Sequence, residues 1–212
     1  MIILLLAVKS SVAGDALWGI IQHCLRPADE GYCITCRAPL SSANCPASSS
    51  CLTSTKMWDL TDSYLTILDR KACGCPPSFV HGLALPLRRT VGIEDPTKPD
   101  GIWTYAWEQA RNRISEESAI ALVVNSAEFR SENQLHVHLV RLREDARTAV
   151  RSKAVEIASL NNVWDEAHKR AMEIGIGDVY GILIIRGADS QFLMLVENTA
   201  LERVYTENEC NR

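Results

Sequence analysis

The chain has 212 residues, 47% apolar and 23% charged, enough for a substantial buried core and too apolar for a disordered chain. Twenty-two basic against 26 acidic side chains leave a net charge of −4. That balance excludes polyanion binding over the whole surface, and with it nucleic acid as a partner, so any anion site must be local.

Ile2 to Val8 is an apolar run far too short to span a bilayer. Small residues follow it, and Ser11-Val12-Ala13 has the form of a cleavage site. Residues 1–14 are therefore expected to be a signal peptide, which makes the protein secreted or extracytoplasmic. Residues 15–25 predict a short helix that opens a cysteine-rich segment, 15–60. Within it, SSANCPASSSCLTSTK is rich in serine and has neither helical nor strand periodicity, so it reads as loop.

The eight cysteines are Cys24, Cys33, Cys36, Cys45, Cys51, Cys73, Cys75 and Cys210. Their even number and their crowding into the first third predict disulfides formed in an oxidising compartment. Zinc is the rival. Cys33 and Cys36 have C-x-x-C spacing, but Cys73 and Cys75 are C-x-C and lie too far away for a standard ribbon. The connectivity stays open; Cys24 with Cys210 is the pairing that would tie the ends of the fold together.

Regular structure is expected from about Tyr64 onward, in one domain over 61–212. YLTIL (64–68) predicts a strand. RKACGCPP carries turn residues and two cysteines, a loop tied by a disulfide. FVHGLALPL (79–87) predicts a second strand, and EDPTKPDG a turn region with Asp100 as helix N-cap. Trp103, Ala106, Trp107, Ala110 and Ile114 then fall on one face of a helix over 101–115. AIALVVN (119–125) and QLHVHLVRL (134–142) predict two more strands. Val150, Ala154, Ile157, Leu160, Trp164, Ala167 and Ala171 recur at three- and four-residue steps, which predicts one long helix over 147–173. VYGILII (179–185) and QFLMLV (191–196) form a hairpin across RGADS. Neighbouring strand runs separated by helices point to the α+β class with antiparallel pairing.

The chemistry lies in SENQLHVHL. Alternation along a strand puts Leu135, Val137 and Leu139 on one face and Gln134, His136 and His138 on the other. Same-face neighbours are then roughly 7 Å apart, two residues at a rise of about 3.3 Å. Such a row can bind a metal, supply a nucleophile with a general acid or base, or be a half-exposed sheet face. The polar loop before it offers Asn125, Arg130 and Ser131, and Arg141 and Arg143 follow it. Arginines around two histidines suggest a phosphate or pyrophosphate site. Metal is disfavoured, because no Asp, Glu or Cys lies in register on that face. A neutral imidazole, with a solution pKa of about 6.5, can attack phosphorus near neutral pH. The resulting phosphoramidate is labile to water, and arginines, amides and hydroxyls can neutralise the equatorial oxygens.

The stretch NSAEFRSENQLHVHL resembles the active-site strand of the CDP-diacylglycerol pyrophosphatase family, within the histidine-triad (HIT-like) superfamily. LPLRRTVGIEDP (85–96), GIWTYAWEQAR (101–111), YGILIIRGADSQFLMLVEN (180–198) and NEC (208–210) resemble further segments of that family, in the same order. The resemblance implies a HIT-like antiparallel sheet packed with helices, carrying a cysteine-rich N-terminal extension. It implies hydrolysis of CDP-diacylglycerol to CMP and phosphatidate with no cofactor and no metal. His136 would be the nucleophile, forming a nucleotidyl-histidine, and His138 would hold phosphate or assist proton movement. Gln134 stands where the superfamily has its first histidine; it can donate a hydrogen bond but cannot titrate. Ser131, Asn125 and Arg130 would contact phosphate or nucleotide. A lipid substrate implies transient membrane contact. Two other functions fit the same residues: hydrolysis of another nucleotide diphosphate derivative, or a non-catalytic secreted binding protein. His23, His81 and His168 carry no motif, and His81 reads as structural.

Overall fold

The computed structural model describes residues 14–25, 36–37, 51, 55–187 and 191–210. The expected signal peptide lies, up to residue 13, outside the described residues, as does most of the serine-rich loop. Among the described residues, no helix is long and apolar enough to cross a membrane.

Among the described residues, nine strands form one sheet. They are β1 (Cys36–Arg37), β2 (Thr55–Leu60), β3 (Tyr64–Leu68), β4 (His81–Pro86), β5 (Ile120–Val124), β6 (Val137–Arg141), β7 (Val155–Ile157), β8 (Gly181–Arg186) and β9 (Phe192–Glu197). Their spatial order is β1-β2-β3-β4-β6-β5-β8-β9-β7, antiparallel throughout except for the short parallel pair β1 and β2. The expected α+β class is observed. The strand that carries His138 and is preceded directly by His136, β6, sits near the middle, between β4 and β5.

Side chains alternate across this sheet. One face carries Leu135, Val137 and Leu139 with Ile120, Leu122, Val124, Ile182 and Ile184. It is covered by helix α2 (Ile102–Arg111), whose Trp103 and Ala106 are fully buried, and by helix α4 (Val163–Glu173) with Trp164 and Ala167. Each fully buried aliphatic side chain in such a layer contributes roughly 1.5–3 kcal/mol. The other face is covered in two places. Helix α1 (Ala16–Cys24) lays Leu17 and Ile21 on Met57, Leu65, Ile67, Leu83 and Leu85. Helices α3 (Arg147–Lys153) and α5 (Leu201–Tyr205) lay Val150, Leu201 and Tyr205 on Val123, Val140, Leu183 and Ile185. The histidines project into the gap between these two covers.

Three expectations are corrected. The single helix over 147–173 is instead α3, strand β7, a 3-10 turn and α4. Its apolar positions fit both periods: Val155 and Ile157 are β-branched at i and i+2, and β7 pairs with β9 through Val155↔Met194. Ser159 then ends the strand by capping the next turn, accepting from Asn161 N at 3.1 Å. Order also begins earlier than Tyr64, because β2 pairs with β3 along Met57↔Ile67 and Leu60↔Leu65. Finally, Cys210 is bonded to Cys75 rather than to Cys24, and Cys51 to Cys73. Cys24 is itself disulfide-bonded, but not to Cys210. These bridges fit an oxidising, extracytoplasmic environment.

Candidate functional site

Gln134 sets the start of β6. Its amide nitrogen donates to Pro86 O at 3.0 Å and Arg88 O at 2.9 Å, and its Oε1 accepts from Thr90 N at 3.3 Å. The side chain is fully buried, and its amide is spent on the backbone of the 86–90 loop. Its own carbonyl oxygen lies 2.8 Å from His136 Nδ1. A carbonyl can only accept, so Nδ1 carries the proton and Nε2 keeps the lone pair. Burial pushes the His136 imidazole below its usual range, and the Gln134 carbonyl opposes this only in part. His136 is 7% exposed and lines a cavity of about 420 Å³.

His138 lies beside it, the two ring centroids 4.8 Å apart and nearly perpendicular. Its Nε2 faces Glu202 Oε2 at 3.4 Å and Asn125 Nδ2 at 3.5 Å. Its Nδ1 faces His81 Nε2 at 3.4 Å. Burial drives His138 well below the ordinary imidazole range, against the pull of Glu202. Near neutral pH the ring is therefore uncharged, and its Nε2–H points at the carboxylate.

Glu202 comes from α5 and is 6% exposed. Burial would raise its pKa, but His138, His81 and the Lys71 ammonium outweigh it and hold the carboxylate well below the usual range. With His138 neutral, the lasting cation here is Lys71 Nζ, which pairs with Glu202 Oε1. Asn125 completes the brace: its Nδ2 donates to Glu202 Oε2 at 3.2 Å and its Oδ1 accepts from Glu202 N at 3.5 Å.

Of the residues expected from sequence, Asn125, Arg130, Ser131, His136 and His138 all line this one cavity. Gln134 supports it from behind. Arg130 reaches it with a partner already in place, since its Nη1 pairs with Glu94, while its Nε is buried without a partner. The guanidinium lies so close over Gly92, which has φ +58°, that a Cβ there would sit 1.8 Å from Nη1. Arg141 and Arg143 are not at the site. Arg141 has the parity of Leu139, so it leaves the histidine face; it pairs with Glu116 at 3.1 Å, and Arg143 with Asp145 at 2.9 Å. Both line a separate groove with Arg113 and Arg203.

His81, Glu202, Lys71 and Asp69 were not picked out from the sequence. His81, read there as structural, is fully buried and stands against His138, 3.2 Å from Glu202 Oε1 and 3.5 Å from Asp69 Oδ2. Its parity with Leu83 and Leu85 gave its face, but only the pairing of β4 with β6 shows that this is the histidine face. Glu202 sits on a five-residue helix, too short for a periodic signal. Asp69, His81 and His138 offer ligand atoms within 4.8 Å of one another and are the residues that could hold a metal ion. No acid lies in register on the histidine face itself, but Asp69 and Glu202 reach it from other elements.

The described residues thus bring together a neutral, oriented imidazole, a second imidazole braced by a carboxylate, and cationic and amide donors around one cavity. That set can bond to phosphorus and neutralise its oxygens. A family model described as CDP-diacylglycerol pyrophosphatase matches residues 60–195, which covers both histidine strands and all the cavity residues in that range. No curated protein matches the chain.

Proposed function

We propose a mechanism from one premise: the chain belongs to the CDP-diacylglycerol pyrophosphatase family, and so is a hydrolase of the phosphoric anhydride bond of CDP-diacylglycerol. His136 Nε2 attacks the phosphorus bearing the cytidine. The N–P bond forms as the bond to the bridging oxygen breaks, and phosphatidate leaves with that oxygen and its electron pair. Water then attacks the same phosphorus and gives up a proton to solvent, the P–N bond breaks, and CMP leaves with His136 restored. The products are CMP and phosphatidate, and the intermediate is a nucleotidyl-histidine.

The observation that carries this reading is the 2.8 Å contact of His136 Nδ1 with the Gln134 carbonyl. It fixes the tautomer whose free lone pair is on Nε2, and burial keeps the ring uncharged. His138, oriented by Glu202 and Asn125 and packed against the His136 ring, assists proton movement. Ser131, Asn125 and the unpartnered Arg130 Nε serve the equatorial oxygens. Gln134 acts through its backbone and its hold on the 86–90 loop. The central position of β6 and the antiparallel order support a HIT-like scaffold in which Gln134, His136 and His138 occupy the triad positions.

The test is a covalent trap. After brief incubation with CDP-diacylglycerol and a denaturing alkaline quench, wild-type protein should carry one cytidylyl group, stable to base and lost in acid. His136→Ala should carry none and release no CMP. Parallel reactions with soluble nucleotide diphosphates identify the preferred substrate by its products. A His136→Ala variant that still turns over would sink the mechanism.

A further inference from the structure

The cavity has a second character that phosphate chemistry does not use. In register across the sheet, His138 faces Leu83 on β4, and Leu83 faces Ile67 on β3. Register partners project from the same face, so these three side chains form a row leading away from the imidazole. With strands 4.7–4.9 Å apart, the row runs about 10 Å from His138 to Ile67. Leu83 and Ile67 line the same cavity as His136 and His138, and Ala16, Leu17 and Ile20 of α1 close it from above.

That wall is fixed. Gly14 N donates to Ser131 O at 2.7 Å, Asn133 N to Gly14 O at 2.8 Å, and Leu17 N to Glu132 Oε2 at 3.2 Å. Asp15 pairs with Arg89 at 2.6 Å, and Leu17, Ile21 and Cys24 are buried on the sheet. The front of α1 is therefore stitched to the loop that leads into the catalytic strand. It also lies outside residues 60–195, the part shared with the family model.

We propose that this apolar arm, floored by Leu83 and Ile67 and walled by Leu17 and Ile20, is the binding site for the glycerol-proximal hydrocarbon of the lipid substrate, and that α1 sets chain preference. The proposal rests on the assignment of His136 as nucleophile. Of the polar groups lining the cavity, Asn125, Ser131 and Arg130 lie in the loop before β6 and serve the nucleotide side, while Asp69 and Lys71, just beyond β3, are engaged with His81 and Glu202. The floor between them, Leu83 and Ile67, is apolar and suits methylenes rather than a second phosphate or a sugar. The cavity, at about 420 Å³, takes the diphosphate with the first stretch of chain and leaves the tails outside.

The test compares CDP-glycerol with CDP-diacylglycerols of increasing acyl length, each kept below its aggregation limit. Wild-type kcat/KM should rise about fourfold per methylene over the first few carbons, the factor corresponding to ~0.8 kcal/mol per buried CH₂, and then level off. Ile20→Asn should flatten that rise, and Ile20→Trp should move the plateau to shorter chains. Ile20 is half-buried, so both variants are compatible with folding, which a melting curve checks. Binding to His136→Ala, measured by calorimetry, should keep the same chain dependence without turnover. A wild-type rate independent of chain length, or Ile20 variants with the wild-type profile, would overturn the proposal. Chain-dependent binding to His136→Ala together with undiminished turnover by that variant would overturn the nucleophile assignment and leave the lipid arm standing.

Discussion

At the residue scale, the proposed mechanism depends on keeping imidazoles neutral. With His136 as the proposed nucleophile, His136→Ala is expected to lower CMP release by about 10⁴-fold or more, read in a direct product assay. The burial that lowers the His136 and His138 pKa values also links stability to pH. Below the ordinary imidazole value of about 6.5 the unfolded chain takes up protons that the buried rings refuse. Stability is then fully present above about pH 6.5 and lost as pH falls. Melting temperatures taken from about pH 8 to pH 5 should decline, and His138→Gln should decline less steeply, because one of the two depressed groups is gone. Much of this residue chemistry was legible in QLHVHL, where strand alternation alone put Gln134, His136 and His138 on one face. His81, Asp69, Lys71 and Glu202 were not, because no local pattern encodes a partner 57 residues away, the separation of His81 from His138.

At the element scale, the site is held by joints between strands and the loops beside them. Gln134 ties β6 to the 86–90 loop through three backbone groups, all buried or partly so. Gln134→Leu leaves those groups unpaired and is expected to cost about 1–3 kcal/mol in a denaturant titration. Its effect on stability should exceed that of Ser131→Ala, whose side chain is exposed. The neighbouring strand is equally exacting. A Cβ at Gly82 would lie 2.1 Å from the Trp58 ring, which reaches over β3 from β2, so Gly82→Ala must displace that ring and should cost about 1–3 kcal/mol by the same measurement. The strands themselves, β3 to β6 and the β8–β9 hairpin, were legible because each is a short apolar run with turn residues at its ends. The split of 147–173 was not: Val150, Ala154 and Ile157 satisfy a helical period as well as they satisfy α3 followed by β7, and only the pairing of Val155 with Met194 decides between them.

At the scale of the whole molecule, the brace of Glu202 on His138 depends on where the chain ends are held. Glu202 lies near the C-terminus and its cation, Lys71, in the loop after β3. Leu201 and Tyr205 seat α5 on the sheet and Asn125 holds Glu202; the Cys75–Cys210 bridge adds a covalent tie between the two segments, closing 135 residues of chain, and Cys51–Cys73 pins the same loop with a span of only 22. In the chain-entropy account a closed loop stabilises by an amount that grows with the logarithm of its length. The long bridge should then contribute roughly 1–2 kcal/mol more than the short one, within the usual 2–5 kcal/mol for a native disulfide. Replacing Cys75 and Cys210 together by serine is expected to lower the melting temperature by about 5–15 °C at the ~2–4 °C per kcal/mol of a chain this size. The Cys51 and Cys73 pair should cost less. Activity should separate the two variants more sharply than stability does. Freeing Cys210 loosens the segment that positions α5, so Glu202 leaves His138 and Lys71, and turnover falls even at temperatures where the variant is fully folded. If the two double-serine variants lose activity only in proportion to the fraction unfolded, the bridge is a staple for the fold and Glu202 holds its place without it.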